Sequence, residues 1–220
     1  MEKQVVSKER VADHGEVLTG KREVNAMLDL VKQETERIDS RFLEPACGTG
    51  NFLVEVLRRK LDVVKARYRK SQVEYERYAV LAVSSLYGID ILEDNVAACR
   101  NRLFTAFDKR YTAIYRDGSN DECRDTVRYI LDRNIIWGDA LTLKTVGDDS
   151  QPIVFSEWSV VNRSMIKRRD FTFHGLLAHE AMKELPLFSD LGEDVFIPKP
   201  QKEYPLVHFL RIADVENSEL

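Results

Sequence analysis

Leu43-Glu44-Pro45-Ala46-Cys47-Gly48-Thr49-Gly50-Asn51-Phe52-Leu53 is the stretch on which the fold turns. A short apolar run (Phe42, Leu43) ends on an acid, passes through a turn of small residues and enters an apolar helix at Asn51. Two closely spaced glycines let the backbone approach a ligand with no Cβ in the way, and the following helix start offers unpaired N–H groups. A turn of this kind at the carboxyl end of a parallel strand is where doubly wound α/β folds bind nucleotide-like ligands. The dinucleotide fingerprint asks for a third glycine three residues on and an acid about 20 residues later. Leu53 stands where that glycine belongs, and the next strand-ending acid, Asp90, lies 40 residues beyond Gly50. A carboxylate at Glu44 would repel a pyrophosphate and suits a cationic ligand such as S-adenosylmethionine, with its sulfonium and ammonium groups.

The segment Glu44 to Leu53 resembles motif I of the N6-adenine DNA methylases, the modification subunits of restriction–modification systems, whose wording is Asp/Glu-Pro-Ala-Cys-Gly-Thr-Gly followed by an aromatic. The resemblance implies a class I S-adenosylmethionine-dependent methyltransferase. The expected fold is α/β, Rossmann-like, with a mostly parallel sheet flanked by helices and an antiparallel C-terminal edge. It implies cofactor contacts from Glu44, Pro45, Ala46, Cys47, Gly48, Gly50, Asn51 and Phe52. The motif-bearing core runs over about 13–145 of a single domain, and 150–220 diverges.

Upstream, His14-Gly15-Glu16-Val17-Leu18-Thr19-Gly20 reads as a loop before a helix whose Val24, Met27, Leu28 and Val31 form one apolar face. Thr19 or Gly20 is the expected N-cap. Gly15, Gly20 and Lys21 approach a phosphate-binding loop, but Arg22 occupies the place of the Mg²⁺-binding hydroxyl and no apolar strand precedes it. The loop instead resembles motif X of the methylases through Gly15 and Thr19, which implies contact with the methionine end of the cofactor.

Downstream, the chain from Asn51 to Ser85 is helical in character and long enough to break into two helices. Leu86–Ile91 is an apolar strand ending at Asp90, whose two oxygens suit a ribose diol. Asp90 also matches the family's motif II acid, with Ile91 placed against adenine. A helix over 94–108 follows. Ser119-Asn120-Asp121-Glu122 then has capping-box spacing for a helix through Leu131. The third strand, Asn134–Trp137, leads into Gly138-Asp139-Ala140-Leu141, which resembles motif III; the resemblance implies that Asp139 accepts from the adenine amino group and that the Ala140 N–H meets a ring nitrogen.

The family transfers the methyl group through Asp/Asn/Ser-Pro-Pro-aromatic after a fourth strand, and this chain contains no Pro-Pro. The fourth apolar run, Pro152–Phe155, is followed by Ser156-Glu157-Trp158, the candidates for holding and stacking a flipped base. The alternative for the same residues is a core or hairpin role. The dense basic cluster Arg163, Lys167, Arg168 and Arg169 lies between two apolar runs, as on a hairpin, and is a candidate phosphate contact. His174 and His179, five apart, do not align on one helix face and give no zinc site. After Pro198, Pro200 and Pro205, Leu206–Ile212 reads as an edge or closing strand.

The 220 residues suit one domain, and 44% hydrophobic with 32% charged residues allow a large core. A net charge of −4 argues against a surface built to coat nucleic acid, so DNA contact would need a local basic patch. Three cysteines without a CxxC pair point to a reducing cytoplasm, and no run reaches membrane-spanning length. Methyl transfer to DNA adenine is the expected activity, with sequence choice supplied by a specificity or restriction subunit. The alternative is a cofactor-binding, catalytically impaired subunit that works with a partner chain.

Overall fold

A computed structural model describes residues 7–14, 16–162, 164–183 and 198–214. Its helices are α1 Lys8–His14, α2 Lys21–Leu30, α3 Lys32–Glu36, α4 Asn51–Tyr68, α5 Gln72–Ser84, α6 Glu93–Tyr115, α7 Asp121–Asn134 and α8 Phe173–Lys183. Its strands are β1 Phe42–Glu44, β2 Leu86–Asp90, β3 Ile135–Asp139, β4 Lys144–Thr145, β5 Val154–Asn162, β6 Met165–Thr172, β7 Lys202–Glu203 and β8 Val207–His208. Among the described residues, no helix is long and apolar enough to cross a membrane.

The first sheet has the order β1-β2-β3-β4. β1, β2 and β3 run parallel, with Leu43 beside Tyr87 and Asp90 beside Trp137, and β4 closes it antiparallel. Strands joined by helical crossovers have this parallel sense because a helix returns the chain to the starting end. One face of the sheet is covered by helices: α4 packs on α5 and α6, and both α5 and α6 pack on α7. Leu53, Leu57, Leu61, Leu86, Leu103, Phe107 and Val127 fill that core at zero exposure. On the opposite face, Tyr87 and Ile89 pack with Ile153, Phe155 and Phe173.

The expected break in the 51–85 helix falls at Arg69–Ser71, and the helix expected over 94–108 runs longer, to Tyr115. The cap of α7 is Asn120, whose side chain accepts from the Glu122 N–H, while Ser119 donates to the Arg116 carbonyl. Gly20 caps α2 with extended backbone, and only Val24 and Leu28 of the expected apolar face are buried. Met27 and Val31 remain 53% and 43% exposed.

The C-terminal part departs from expectation. β5 to β8 form a separate antiparallel sheet, with β5, β7 and β8 all pairing to β6, instead of extending the first sheet. The expected strand over Leu206–Ile212 shortens to β8 and a 3₁₀ turn, Phe209–Arg211. The His208 ring accepts from the Leu210 N–H, which turns the chain after two paired residues. The two sheets are joined at the amino ends of β2 and β3. There Trp158 donates to the Asn134 side chain, and Asn134 donates to the Ser84 and Leu86 carbonyls.

Lys60, on α4, is fully buried at the amino end of β1. Its ammonium donates to the Ile38 and Ser40 carbonyls and to the Ser85 hydroxyl, tying the entries of β1 and β2 together. Burial pushes its pKa down to about 7. The unfolded chain therefore holds more protons between about pH 7 and the unshifted lysine range, and this residue makes stability rise with pH across that window. Lys60→Met is expected to cost about 2 kcal/mol, through acceptors left unpaired in the core. It should also flatten the alkaline rise, measured by urea denaturation at pH 6.5, 8 and 9.5.

Candidate functional site

A cleft of about 650 Å³ opens at the carboxyl ends of β1, β2 and β3. Its walls are the 16–19 loop, Met27, the turn 44–48, the start of α4 and the segments that follow β2 and β3. Of the residues proposed from the sequence, Thr19, Glu44, Pro45, Ala46, Cys47, Gly48, Asn51, Phe52, Asp90, Ile91, Asp139 and Ala140 line this one cleft. Gly15 lies outside the described residues.

The turn has the backbone its glycines imply. Gly48 and Gly50 sit at φ +50° and +84°, in the left-handed region where a Cβ is strained. Gly50 does not line the cleft. It is the N-cap of α4, and a Cβ there would lie 2.6 Å from Cys99 Sγ. Its role is close packing of α4 against α6. Arg102, on α6, holds the turn from outside by donating to the Thr49 carbonyl and hydroxyl and to the Asn51 side chain. Asn51 in turn donates to the Thr19 carbonyl at 2.9 Å, joining the 16–19 loop to the helix start.

Asp90 braces the same turn. One oxygen accepts from the Gly48 N–H at 2.7 Å; the other accepts from the Leu92 N–H at 3.0 Å and the Asn95 side chain at 3.1 Å. A carboxylate has about four acceptor sites, so Asp90 retains room for one further hydrogen bond. The bidentate grip on a diol expected from its sequence position is not available in this arrangement. Asp139 accepts from the Leu141 N–H at 2.8 Å and the Thr142 hydroxyl at 3.0 Å; the backbone N–H foremost holds its carboxyl below the usual range. Glu44 is the acid with the least support. Burial pushes its carboxyl up, only partly opposed by the Ala46 N–H.

Two residues that sequence reading passed over complete the acidic wall. Glu16 and Asn95 both line the cleft, and Asn95 donates to Glu16 at 2.7 Å as well as to Asp90. Burial pushes the Glu16 carboxyl up, but its hydrogen bonds to Arg10 and Asn95 more than offset this and hold it below the ordinary value. Arg10, on α1, also reaches Asp94, which pins α1 to the start of α6. A signal existed for Asn95: a polar residue beside Val96 on the buried side of a helix, five residues after the strand acid. None existed for Arg10, whose partners on α6, Asp94 and Asn95, lie more than 80 residues away.

The cleft thus carries four carboxylates (Glu16, Glu44, Asp90, Asp139), and no Lys, Arg or His among its described lining residues. Its field suits a cation and opposes a phosphate. Val17, Leu18, Phe52 and Ile91 supply apolar walls. Cys47 is 6% exposed on its floor; the neighbouring Cys99 side chain and burial hold its thiol far above the usual range, so it stays protonated and fills space.

The candidates for handling a base are elsewhere. Ser156, Glu157 and Trp158 lie on β5, and none reaches the cleft. Ser156 donates to Asp170, Glu157 pairs with Arg41 and Arg169, and Trp158 is 4% exposed against Tyr129 and Asn134. Arg41 and Asn134 precede β1 and β3, so this cluster sits at the opposite end of the first sheet from the cleft. The core reading of these residues replaces the base-stacking one. The basic cluster is likewise neutralised where it is described: Lys167 pairs with Glu203, Arg168 with Asp170 and Arg169 with Glu157. These side chains on β6 do not line the cleft, and Arg163 lies outside the described residues. No family model, curated protein or solved structure matches the chain.

Proposed function

We propose that the cleft binds S-adenosylmethionine and that the chain is the cofactor-holding part of a Rossmann-like class I methyltransferase. DNA adenine N6 is the acceptor that its resemblance to the adenine methylases implies. The observation that carries this reading is the convergence of Glu44, Asp90 and Asp139, each ending a neighbouring parallel strand, on one cationophilic cleft beside a left-handed glycine turn. Ligands of open α/β sheets sit at this end of the strands.

Glu44 is assigned to the ammonium of the methionine moiety, Asp90 to one ribose hydroxyl through its remaining acceptor site, and Asp139 with the Ala140 N–H to the adenine edge. Ile91 and Phe52 provide apolar contact for the nucleoside. Bound there, S-adenosylmethionine supplies a methyl group already activated by its sulfonium. The protein's own contribution is positioning, and general acid–base chemistry has little to add.

One observation favours the second reading, a subunit that binds the cofactor and leaves transfer to an assembly. The polar and aromatic groups proposed for the acceptor are all at the far end of the sheet. Titration calorimetry with S-adenosylmethionine, followed by transfer of labelled methyl to unmethylated DNA, tests both readings. Binding without transfer by the isolated chain is the expected result, and absence of binding overturns the proposal.

Glu44→Gln is expected to weaken S-adenosylmethionine and S-adenosylhomocysteine about tenfold, the 1.4 kcal/mol loss of a charge-assisted contact. Methylthioadenosine, which lacks the ammonium, should bind the variant unchanged. Since burial raises the Glu44 pKa, affinity for the two amino-acid-bearing ligands should fall as pH drops through a range above that of an ordinary carboxylate. The variant should lack this dependence.

A further inference from the structure

A ribose diol seated against Asp90 finds only one acceptor there. Oδ1 is filled by the Leu92 N–H and the Asn95 side chain, while Oδ2, which already accepts from the Gly48 N–H, keeps one site. Glu16 stands in the same condition. Its Oε1 is filled by Arg10 Nη2 at 2.9 Å and Asn95 Nδ2 at 2.7 Å, whereas Oε2 accepts from Arg10 Nε and keeps one site. Both acids line the cleft, so each offers it one open acceptor position.

One side chain sets the spacing between them. Asn95 Nδ2 donates to Glu16 Oε1 and to Asp90 Oδ1, so the two acids flank a single nitrogen at 2.7 and 3.1 Å. Asn95 is buried, and its own oxygen accepts from Arg10 Nη2 at 3.1 Å, which fixes the way its amide faces. Two acceptors held this close suit two hydroxyls on adjacent carbons. Each hydroxyl can donate to one acid at an ordinary O–H···O separation of about 2.7 Å.

Arg10 keeps the two acids together. Carboxylates sharing one nitrogen repel each other, and burial of the Glu16 side chain, 8% exposed, favours its neutral form. The guanidinium takes Glu16 side-on through Nε and Nη2, the two-pronged geometry that suits a carboxylate, and holds it ionised. Arg10 is not among the described lining residues of the cleft; it acts through Glu16 and Asn95. Its remaining partner, Asp94, is 66% exposed and does not line the cleft either.

We infer that Glu16 and Asp90 divide a vicinal diol between them, one hydroxyl each, and that Arg10 and Asn95 are positioning residues for this clamp. The inference rests on the methyltransferase reading for the identity of the nucleoside, and within that reading the clamp has a task. Cofactor and proposed acceptor both present an adenine. A DNA nucleoside has no 2′ hydroxyl and its 3′ oxygen is esterified to phosphate, so it has no diol to donate. The acidic wall also opposes its phosphates. The clamp sorts the two adenines: it admits the ribonucleoside to the cofactor end of the cleft and leaves the deoxynucleotide outside it.

Methylthioadenosine and its 2′-deoxy and 3′-deoxy forms, titrated by protein NMR up to millimolar ligand, test the clamp. The parent protein is expected to bind the diol about tenfold more tightly than either deoxy form, one charge-assisted hydrogen bond for each hydroxyl. Glu16→Ala should erase the preference over one deoxy form and keep the preference over the other, which belongs to Asp90. Arg10→Ala should lower the same ratio that Glu16→Ala erases, and the double variant should lose no more than Glu16→Ala alone. Asp94→Asn, which leaves Glu16 bonded to Arg10 and Asn95, should keep both ratios. If Glu16→Ala fails to fold, Glu16→Asp, which draws the carboxylate back by one methylene, is read for the same ratio. Equal binding of the three ligands by the parent, both ratios unchanged or both erased in the Glu16 variants, or an Arg10→Ala that weakens all three ligands alike would overturn the proposal. S-adenosylmethionine is titrated separately. Should it fail to bind while methylthioadenosine shows the expected pattern, the methyl-donor reading falls and the clamp stands; if neither binds, both fall.

Discussion

Gly50→Ala is expected to destabilise the chain by about 3 kcal/mol or more, from two separable causes. The residue sits at φ +84°, where an L side chain carries about 1–2 kcal/mol of strain. The new methyl would also lie 2.6 Å from Cys99 Sγ on a packed helix, which adds an overpacking cost of about 1–3 kcal/mol. The strain is local to the turn, whereas the clash belongs to the contact between α4 and α6. Cys99→Ala, introduced with Gly50→Ala, should therefore recover the second cost and leave the first, giving a coupling of about 1–2 kcal/mol in a double-mutant cycle. Denaturation of the four proteins measures it. Strict additivity would mean that Gly50 is required for its backbone conformation alone, contrary to the packing described.

Trp158→Ala is expected to cost about 3–5 kcal/mol, the range for truncating a buried tryptophan. The indole is 4% exposed, meets Tyr129 edge-on at 6.2 Å between ring centroids, and donates to Asn134 at 3.1 Å. Its loss would leave a cavity where the two sheets meet and unpair the Asn134 carbonyl oxygen. The folded fraction should bind S-adenosylmethionine as the parent does, because the cleft lies at the other end of the strands. Trp158→Phe should recover most of the loss, with the hydrogen bond accounting for about 1 kcal/mol of the remainder. Urea denaturation and calorimetric titration, read together, separate this core role from a base-stacking one. A stacking residue would change DNA binding at little cost in stability, which is the opposite pattern.

The same residue shows why resemblance and order along the chain mislead at this point. Ser156-Glu157-Trp158 follows an apolar run, as a polar–aromatic catalytic segment would, but β5 joins a different sheet and runs toward the amino ends of β2 and β3. Which sheet a strand joins depends on the edge available and on the surface it can cover, and neither is written in its own residues. The basic cluster on β6 is a parallel case. Arg168 and Arg169 count as a patch in one dimension, while in three they are paired with Asp170 and Glu157.

Features that depend on a few adjacent residues were legible in the sequence alone. The glycine turn, the break between α4 and α5, the acids ending β1, β2 and β3, and the hairpin of β5 and β6 all follow from backbone freedom, period and local capping, forces that act within a turn or two of chain. What only the tertiary structure decided are relations between segments far apart: Arg10 reaching Asp94 and Asn95, Asp90 already engaged by Gly48, Lys60 buried between two strand entries, and β1 standing outermost among the described strands of its sheet. Long-range partners settle burial and hydrogen bonding, and those two determine whether a charged or aromatic side chain acts in the cleft or holds the fold.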